Sequence, residues 1–318
     1  MKIKRPIYLD TINLISIILL PFTLFTFLFN NLKKLLPKTR FKVKTICVGN
    51  IYLGGTGKTP LVIKINSILK KKYKTTIIKK NYVDQKDEQK ILKKNGNLLC
   101  FKNRDIAIKT AENKNFDIAI CDDGLQEKKI NYDLSIACFN STLTIGNGFL
   151  IPAGPLRESL FEIRNYDAVF LNGQKKNIKF QNKIKKINKN IKIFYANYKP
   201  TNLKSFNLKK NYLIFCGLGN PEEFEKTLIK YKFKIEEKRF FPDHYNFSNK
   251  DINEIKGLAK EKRLEIVTSE KDYLRLDNSK KKNIKFIKVD LKISNQKKFE
   301  SFLNKNLWKP LFIFLNLF

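Results

Sequence analysis

VGNIYLGGTGKTP, residues Val48 to Pro60, lies between an apolar run, FKVKTICVGN (41–50), and a segment of helical spacing, LVIKINSILKKKY (61–73). In the second segment Leu61, Ile65, Ile68 and Leu69 recur on one helical face. A strand that ends in a glycine-rich turn and opens a helix is the context a phosphate-binding loop requires. Glycines let backbone N–H groups curl around oxyanions, and the helix N-terminus adds its positive end. Gly54, Gly55, Thr56, Gly57, Lys58 and Thr59 are therefore the expected nucleotide-binding residues. Lys58 is expected to reach the β- and γ-phosphates and so to act in catalysis, and the Thr59 hydroxyl to ligate Mg²⁺. The strict loop spacing wants glycine at position 52, where Tyr52 stands.

Downstream, KTTIIKK (74–80) reads as a strand, and FDIAICDDG (116–124) as a buried strand ending in two acids. Asp122 and Asp123 occupy the strand-end position where an acid holds Mg²⁺ directly or through water. DLSIACF (133–139) and DAVFLN (167–172) are further strands. The alternation predicts an α/β fold with a mostly parallel sheet and nucleotide at the strand C-termini. Lysine-rich segments from 174 to 211 then shift the composition, and NYLIFCGLGNP (211–221) opens a second, smaller α/β unit. Its expected elements are a helix over 221–231, a strand near 233–240, a helix over 249–262, and strands at 264–269 and 285–291. The expected divisions are an anchor over 1–36, a phosphate-loop domain over 37–210, the smaller domain over 211–306, and an apolar tail over 307–318.

Upstream, TINLISIILLPFTLFTFLFNNL (11–32) carries no charge, and about 20 helical residues cross a hydrocarbon core. Basic residues flank it on both sides. Pro21 would kink a helix and permits a re-entrant insertion instead of a span. No small-residue cleavage site follows, so an uncleaved membrane anchor is expected. The chain has 64 basic and 29 acidic residues, a net charge of +35. A compositional bias toward Lys, Asn and Ile accounts for charge spread through every segment; attraction to an anionic membrane surface is the functional reading. No aromatic-basic recognition motif accompanies the charge, so no nucleic-acid partner is expected. The five cysteines form no C-x-x-C pair and read as reduced, buried thiols of a cytosolic domain.

Six segments together resemble the tetraacyldisaccharide 4'-kinase family of the lipid A pathway. They are Val48–Pro60, DDGLQ (Asp122–Gln126), PAGPLRE (Pro152–Glu158), GLGNPEEF (Gly217–Phe224), FPDH (Phe241–His244) and EKD (Glu270–Asp272). The resemblance implies transfer of the ATP γ-phosphoryl group to the 4'-hydroxyl of a lipid-linked glucosamine disaccharide 1-phosphate, with Mg²⁺, at the cytosolic leaflet of the inner membrane. It implies an acid–histidine pair that activates the hydroxyl, here Asp87 and His244, the latter the chain's single histidine. Arg157, Glu158 and Gln126 are expected at the substrate, and Arg104, after the apolar LLCF, is expected to face the site. The chain departs from the pattern at KNYV (80–83), where Lys80 replaces an arginine, and at KDEQ (86–89), which has lost a glycine and a proline. A membrane-associated ATPase switch of the partitioning type is the competing reading; PAGPLRE and FPDH have no place in it.

Overall fold

The computed structural model describes residues 7–82, 85–173, 175–243 and 245–308. His244 and residues 309–318 of the apolar tail, both invoked above, lie outside the described residues.

The chain begins with α1 (Leu14–Leu19), a 3₁₀ turn at Leu20–Phe22 that contains Pro21, and α2 (Thr23–Lys34). It continues through β1 (Lys44–Gly49), α3 (Lys58–Leu69), β2 (Thr75–Lys80), α4 (Lys86–Asn95), β3 (Leu98–Phe101), α5 (Arg104–Asn113) and β4 (Ile118–Asp122). There follow β5 (Leu134–Asn140), β6 (Ala168–Asn172), α6 (Ile178–Ile187) and β7 (Lys192–Pro200). The second unit holds β8 (Asn211–Cys216), α7 (Pro221–Lys230), β9 (Lys234–Phe240), α8 (Asn249–Glu261), β10 (Glu265–Ser269), α9 (Glu270–Arg275) and β11 (Ile284–Ile287). β12 (Val289–Ile293) and α10 (Gln296–Leu307) close the described chain.

The larger sheet runs β12-β7-β6-β5-β1-β4-β2-β3, and the smaller runs β11-β10-β8-β9. Every pairing is parallel except β12 with β7. Both faces of the larger sheet are buried, as parallel sheets require. Ile46, Val48, Ile118 and Ile120 pack with Leu61 and Ile65 of α3 and with Phe299 and Leu303 of α10. Their neighbours in sequence point the other way: Ala119 and Cys121 meet Ala107 and Ile108 of α5. Ala137 and Phe139 meet Phe180 and Ile184 of α6. In the smaller sheet Leu213 and Phe215 pack on α8, and Tyr212 and Ile214 on α7. The cysteines are free thiols, and all but Cys100 are fully buried in these packed layers.

Two expectations change. The segment 285–291 is not one strand: β11 belongs to the smaller sheet, and after Lys288 alone the chain enters the larger one as β12. The unit expected over 211–306 therefore gives its last elements, β12 and α10, back to the larger domain, because their apolar residues complete that domain's core. The two crossings are clasped together. Thr201 N–H donates to Lys288 C=O at 2.9 Å, Asn202 Nδ2 to Phe286 C=O at 2.9 Å, and Lys288 N–H to Asn202 Oδ1 at 2.9 Å. The lysine-rich stretch also holds order that composition concealed, namely α6 and β7.

The N-terminal pair of helices, Leu14–Lys34, is long and apolar enough to cross a membrane. It is also docked along one side. Thr26 Oγ1 donates to Ile151 C=O at 2.6 Å, Asn30 Nδ2 to Arg157 C=O at 2.7 Å, and Lys34 Nζ pairs with Glu162 at 2.6 Å. Spacing of four residues puts these three on one face of α2. The remaining surface is largely apolar and bare, with Leu14 73% and Phe25 71% exposed.

Candidate functional site

The loop between β1 and α3 is built by backbone constraints. Gly54 and Gly57 have φ of +123° and +85°, and a Cβ on Gly57 would lie 2.0 Å from Asn172 Nδ2. That close approach is used: Asn172 Nδ2 donates to Thr56 C=O at 2.8 Å. Asn50 braces the loop from within, its Nδ2 donating to Tyr52 C=O at 2.6 Å and Thr56 Oγ1 at 2.9 Å. Tyr52 is fully buried, packed with Ile51, Leu156 and Phe139. Leu53 N–H donates to Pro155 C=O, and Arg157 N–H to Ile51 C=O. The PAGPLRE segment is thus the outer wall of the loop, and the Tyr52 ring, buried against Leu156 of that wall, supplies the bracing that glycine at position 52 would not.

Lys58 opens α3, its Nζ 3.1 Å from Asn50 Oδ1 and 3.5 Å from Asp123 Oδ1. Thr59 Oγ1 donates to Asp122 Oδ2 at 3.0 Å, while Asp122 Oδ1 is buried without a hydrogen-bond partner among the described residues. An orphaned carboxylate oxygen beside a hydroxyl at a strand end suits a divalent cation. Mg²⁺ at such sites takes one or two protein ligands and completes its shell with phosphate and water. Accordingly, the described residues hold no cage of three or more acidic, histidine or cysteine ligands.

Asp123, expected beside the metal, faces elsewhere. Its φ of +58° is a left-handed conformation uncommon outside glycine. Its carboxylate meets Lys58 and both oxygens approach Arg157 Nη1, at 3.3 and 3.2 Å. Burial works to raise the pKa of Asp123, but Lys58 and Arg157 outweigh it and hold the carboxyl below its ordinary range.

The structure redistributes the residues expected at the substrate. Arg157 and Gln126 line a cationic cleft of about 370 Å³ with Lys33, Lys80, Lys128 and Lys129. Lys80, the departure from arginine, still supplies a positive charge there. Glu158 is internal, 1% exposed, with Lys128 Nζ at 2.7 Å, Tyr166 Oη at 3.1 Å and Gln126 Nε2 at 3.2 Å. Arg104 borders the cleft but is nearly buried, and its Nη2 donates to the carbonyls of Asp122 and Asp123 at 3.0 Å each. Both are corrections to the expectation of direct substrate contact: their charges are spent inside, bracing the acidic turn and the loop wall.

Asp87 and Glu88 lie in the first turn of α4. Asp87 Oδ2 accepts from Arg275 Nε at 3.1 Å and Nη2 at 2.8 Å, and Arg275 Nη1 also reaches Asp272 at 2.8 Å. Arg275 lies on α9, so the smaller unit grips the proposed proton acceptor. Glu88 pairs with Lys271 of α9 at 3.1 Å and with Lys79 of β2 at 2.6 Å, and Lys79 also reaches Asp122 Oδ2 at 2.9 Å. Burial lowers the affinity of Lys79 for its proton, yet Asp122 and Glu88 reverse that and raise it. For Glu88, burial raises the pKa, but Lys271 and Lys79 prevail and depress it. Sequence reasoning missed Lys79, Lys271 and Arg275. The strand pairing of Lys79 with Asp122 is a tertiary fact, and only the EKD segment pointed toward the other two.

The two units close on each other at glycine. A Cβ on Gly219 would meet Gly55 N at 2.8 Å. Between them lies a cleft of about 690 Å³, lined by the phosphate loop, Asn172, Tyr198, Gly219, Glu223 and Lys271. Asp123 lines both this cleft and the cationic one.

Known proteins resemble this chain in sequence and in fold. A family model described as tetraacyldisaccharide-1-P 4'-kinase matches residues 15–308. A tetraacyldisaccharide 4'-kinase from Pelagibacter ubique is 45% identical over 301 residues, covering 93% of this chain and 96% of the relative. One from Rickettsia akari is 33% identical, covering 98% and 99%. A crystal structure of LpxK from Aquifex aeolicus in complex with ATP superposes with a TM-score of 0.69 at 23% identity, covering 93% of this chain and all of that one. With the family model spanning both units and relatives matched nearly end to end, the chain belongs to the tetraacyldisaccharide-1-P 4'-kinase family.

Proposed function

We infer that this protein is an ATP-dependent lipid kinase of lipid A biosynthesis, transferring the γ-phosphoryl group to the 4'-hydroxyl of a tetraacyl glucosamine disaccharide 1-phosphate. The observation that carries the reading is the position of Asp123 between two clefts, one floored by the phosphate loop and the other lined with cations. Phosphoryl transfer asks chiefly for positioning and charge neutralisation. Loop amides and Lys58 would hold the triphosphate. Thr59 and Asp122 would hold Mg²⁺, which when bound neutralises charge on the phosphates. The cationic cleft, with Arg157 and Lys80, suits an anionic sugar headgroup. Asp87 would accept the hydroxyl proton, or orient His244 to accept it; Arg275 keeps that carboxylate in place. Contact between the units at Gly55 and Gly219 would exclude water from the transferred group.

The apolar face of α1 and α2 fits the cytosolic leaflet of the inner membrane. The polar face of α2 is committed to the 151–162 segment, which favours a helix pair lying in the leaflet with the cationic cleft beside it. An ATPase switch gives no role to that cleft.

The test is an assay of purified protein with ATP, Mg²⁺ and the disaccharide lipid. ATP consumption should match lipid phosphorylation one for one. Lys58→Ala and His244→Ala should each cut turnover at least about a hundredfold. ATP hydrolysis unaffected by the lipid would exclude the kinase reading, and near-normal turnover of His244→Ala would remove that residue from the mechanism.

A further inference from the structure

We propose that Lys79 is a positioning residue that occupies the place of a cation between Asp122 and Glu88, so that a divalent metal enters only together with the nucleotide. The argument rests on the reading of Asp122 as the metal's acid. Lys79 lies opposite Asp122 in the β2–β4 register. Its side chain is 3% exposed, and its ammonium touches one oxygen of each acid, Asp122 Oδ2 at 2.9 Å and Glu88 Oε2 at 2.6 Å. A flexible ammonium buried between two carboxylates is a point charge, as a metal ion is.

The contact is one-sided in a way that matters. Asp122 Oδ2 is filled by Lys79 and by the Thr59 hydroxyl, whereas Oδ1 is buried and has no hydrogen-bond partner among the described residues. A metal therefore has one oxygen to approach, and approaches it against a positive charge. Glu88 is in turn bridged to Lys271, and Asp87 beside it to Arg275. Without a nucleotide, each acid near the metal position already faces a basic partner, and little uncompensated negative charge remains to draw in a free ion. The triphosphate supplies it. The same contact ties the strand-end acid to the first turn of α4, one residue from Asp87, so the metal side and the proton-accepting side of the site share one buried brace.

The experiment measures Mn²⁺ binding to the full chain in detergent micelles without nucleotide, by the loss of the free-ion paramagnetic resonance signal. Wild type should bind Mn²⁺ weakly at this site. Lys79→Met leaves two carboxylates facing each other and should bind at least about tenfold tighter, since close charges interact strongly at a buried site. Adding Asp122→Asn to Lys79→Met should abolish the gain. If Lys79→Met does not fold, Lys79→Gln keeps hydrogen-bonding capacity without charge and should shift affinity in the same direction. A folded variant whose Mn²⁺ affinity equals that of wild type, or a gain that survives Asp122→Asn, overturns the proposal. Because no turnover is measured, this outcome is separate from the fate of the kinase reading.

Discussion

At the scale of single residues, the site is decided by backbone conformation and by which charges are already paired. Gly57 combines a φ of +85° with an Asn172 amide 2.0 Å from where a Cβ would stand. A left-handed L-residue costs about 1–2 kcal/mol even without a clash. Gly57→Ala is therefore expected to raise the KM for ATP at least about tenfold, read by initial-rate kinetics, with a lowered melting temperature. Glu88 makes a pH prediction. Its pKa in the folded chain is depressed below the ordinary 4.5 by Lys271 and Lys79 acting against burial. A depressed carboxylate contributes stability that is complete above its unfolded value and lost as pH falls toward its folded value. Wild type should accordingly melt higher than Glu88→Gln at pH 7, and the two melting curves should converge as pH drops below about 4.5. A gap that stays constant down to pH 3 would show that the ion pairs contribute nothing. Glu158 shows the limit of reading residues singly. An acid after a glycine–proline turn looks exposed, yet Lys128, Tyr166 and Gln126 hold it inside.

At the scale of elements, α2 has two jobs on two faces. Thr26, Asn30 and Lys34 bind it to the segment that carries Arg157, and Phe25, Leu28 and Leu32 face outward. The two faces should separate by mutation. Phe25→Asp with Leu28→Asp should abolish co-sedimentation with anionic vesicles, because charge on the bare face opposes burial in lipid. Asn30→Ala should leave vesicle binding intact and reduce turnover several-fold, since it removes the hydrogen bond on Arg157. Loss of vesicle binding in Asn30→Ala would mean that the polar face, too, meets the membrane. The shortness of α9 is also informative. Its six residues carry both Lys271 and Arg275, which brings two basic side chains to the first turn of α4.

At the scale of the whole molecule, strands and helices with strong apolar periodicity were legible from the chain alone: β1 with α3, β4, β5, β6, and the order of the second unit. Local pattern suffices for β1, β4, β5 and β6 because these strands are buried on both faces and so stand out as nearly continuous apolar runs. The triphosphate loop was equally legible, since its conformational demand is met by glycines adjacent in sequence. α6 and β7 were hidden because their solvated faces are filled with lysine and asparagine. The hand-over at Lys288 was hidden because a seven-residue segment of mixed apolar and charged residues does not say which sheet it joins; that is settled by which core has room for Leu291, Phe299 and Leu303. The amino-acid sequence by itself determined the phosphate loop, the acidic strand end, the parallel layering and the apolar N-terminal helix. Only tertiary structure decided that Arg104 and Glu158 turn inward, that Arg275 grips Asp87 and that Lys79 joins Asp122 to Glu88. Those are contacts between elements distant in the chain, and burial with charge pairing, rather than local propensity, selects them.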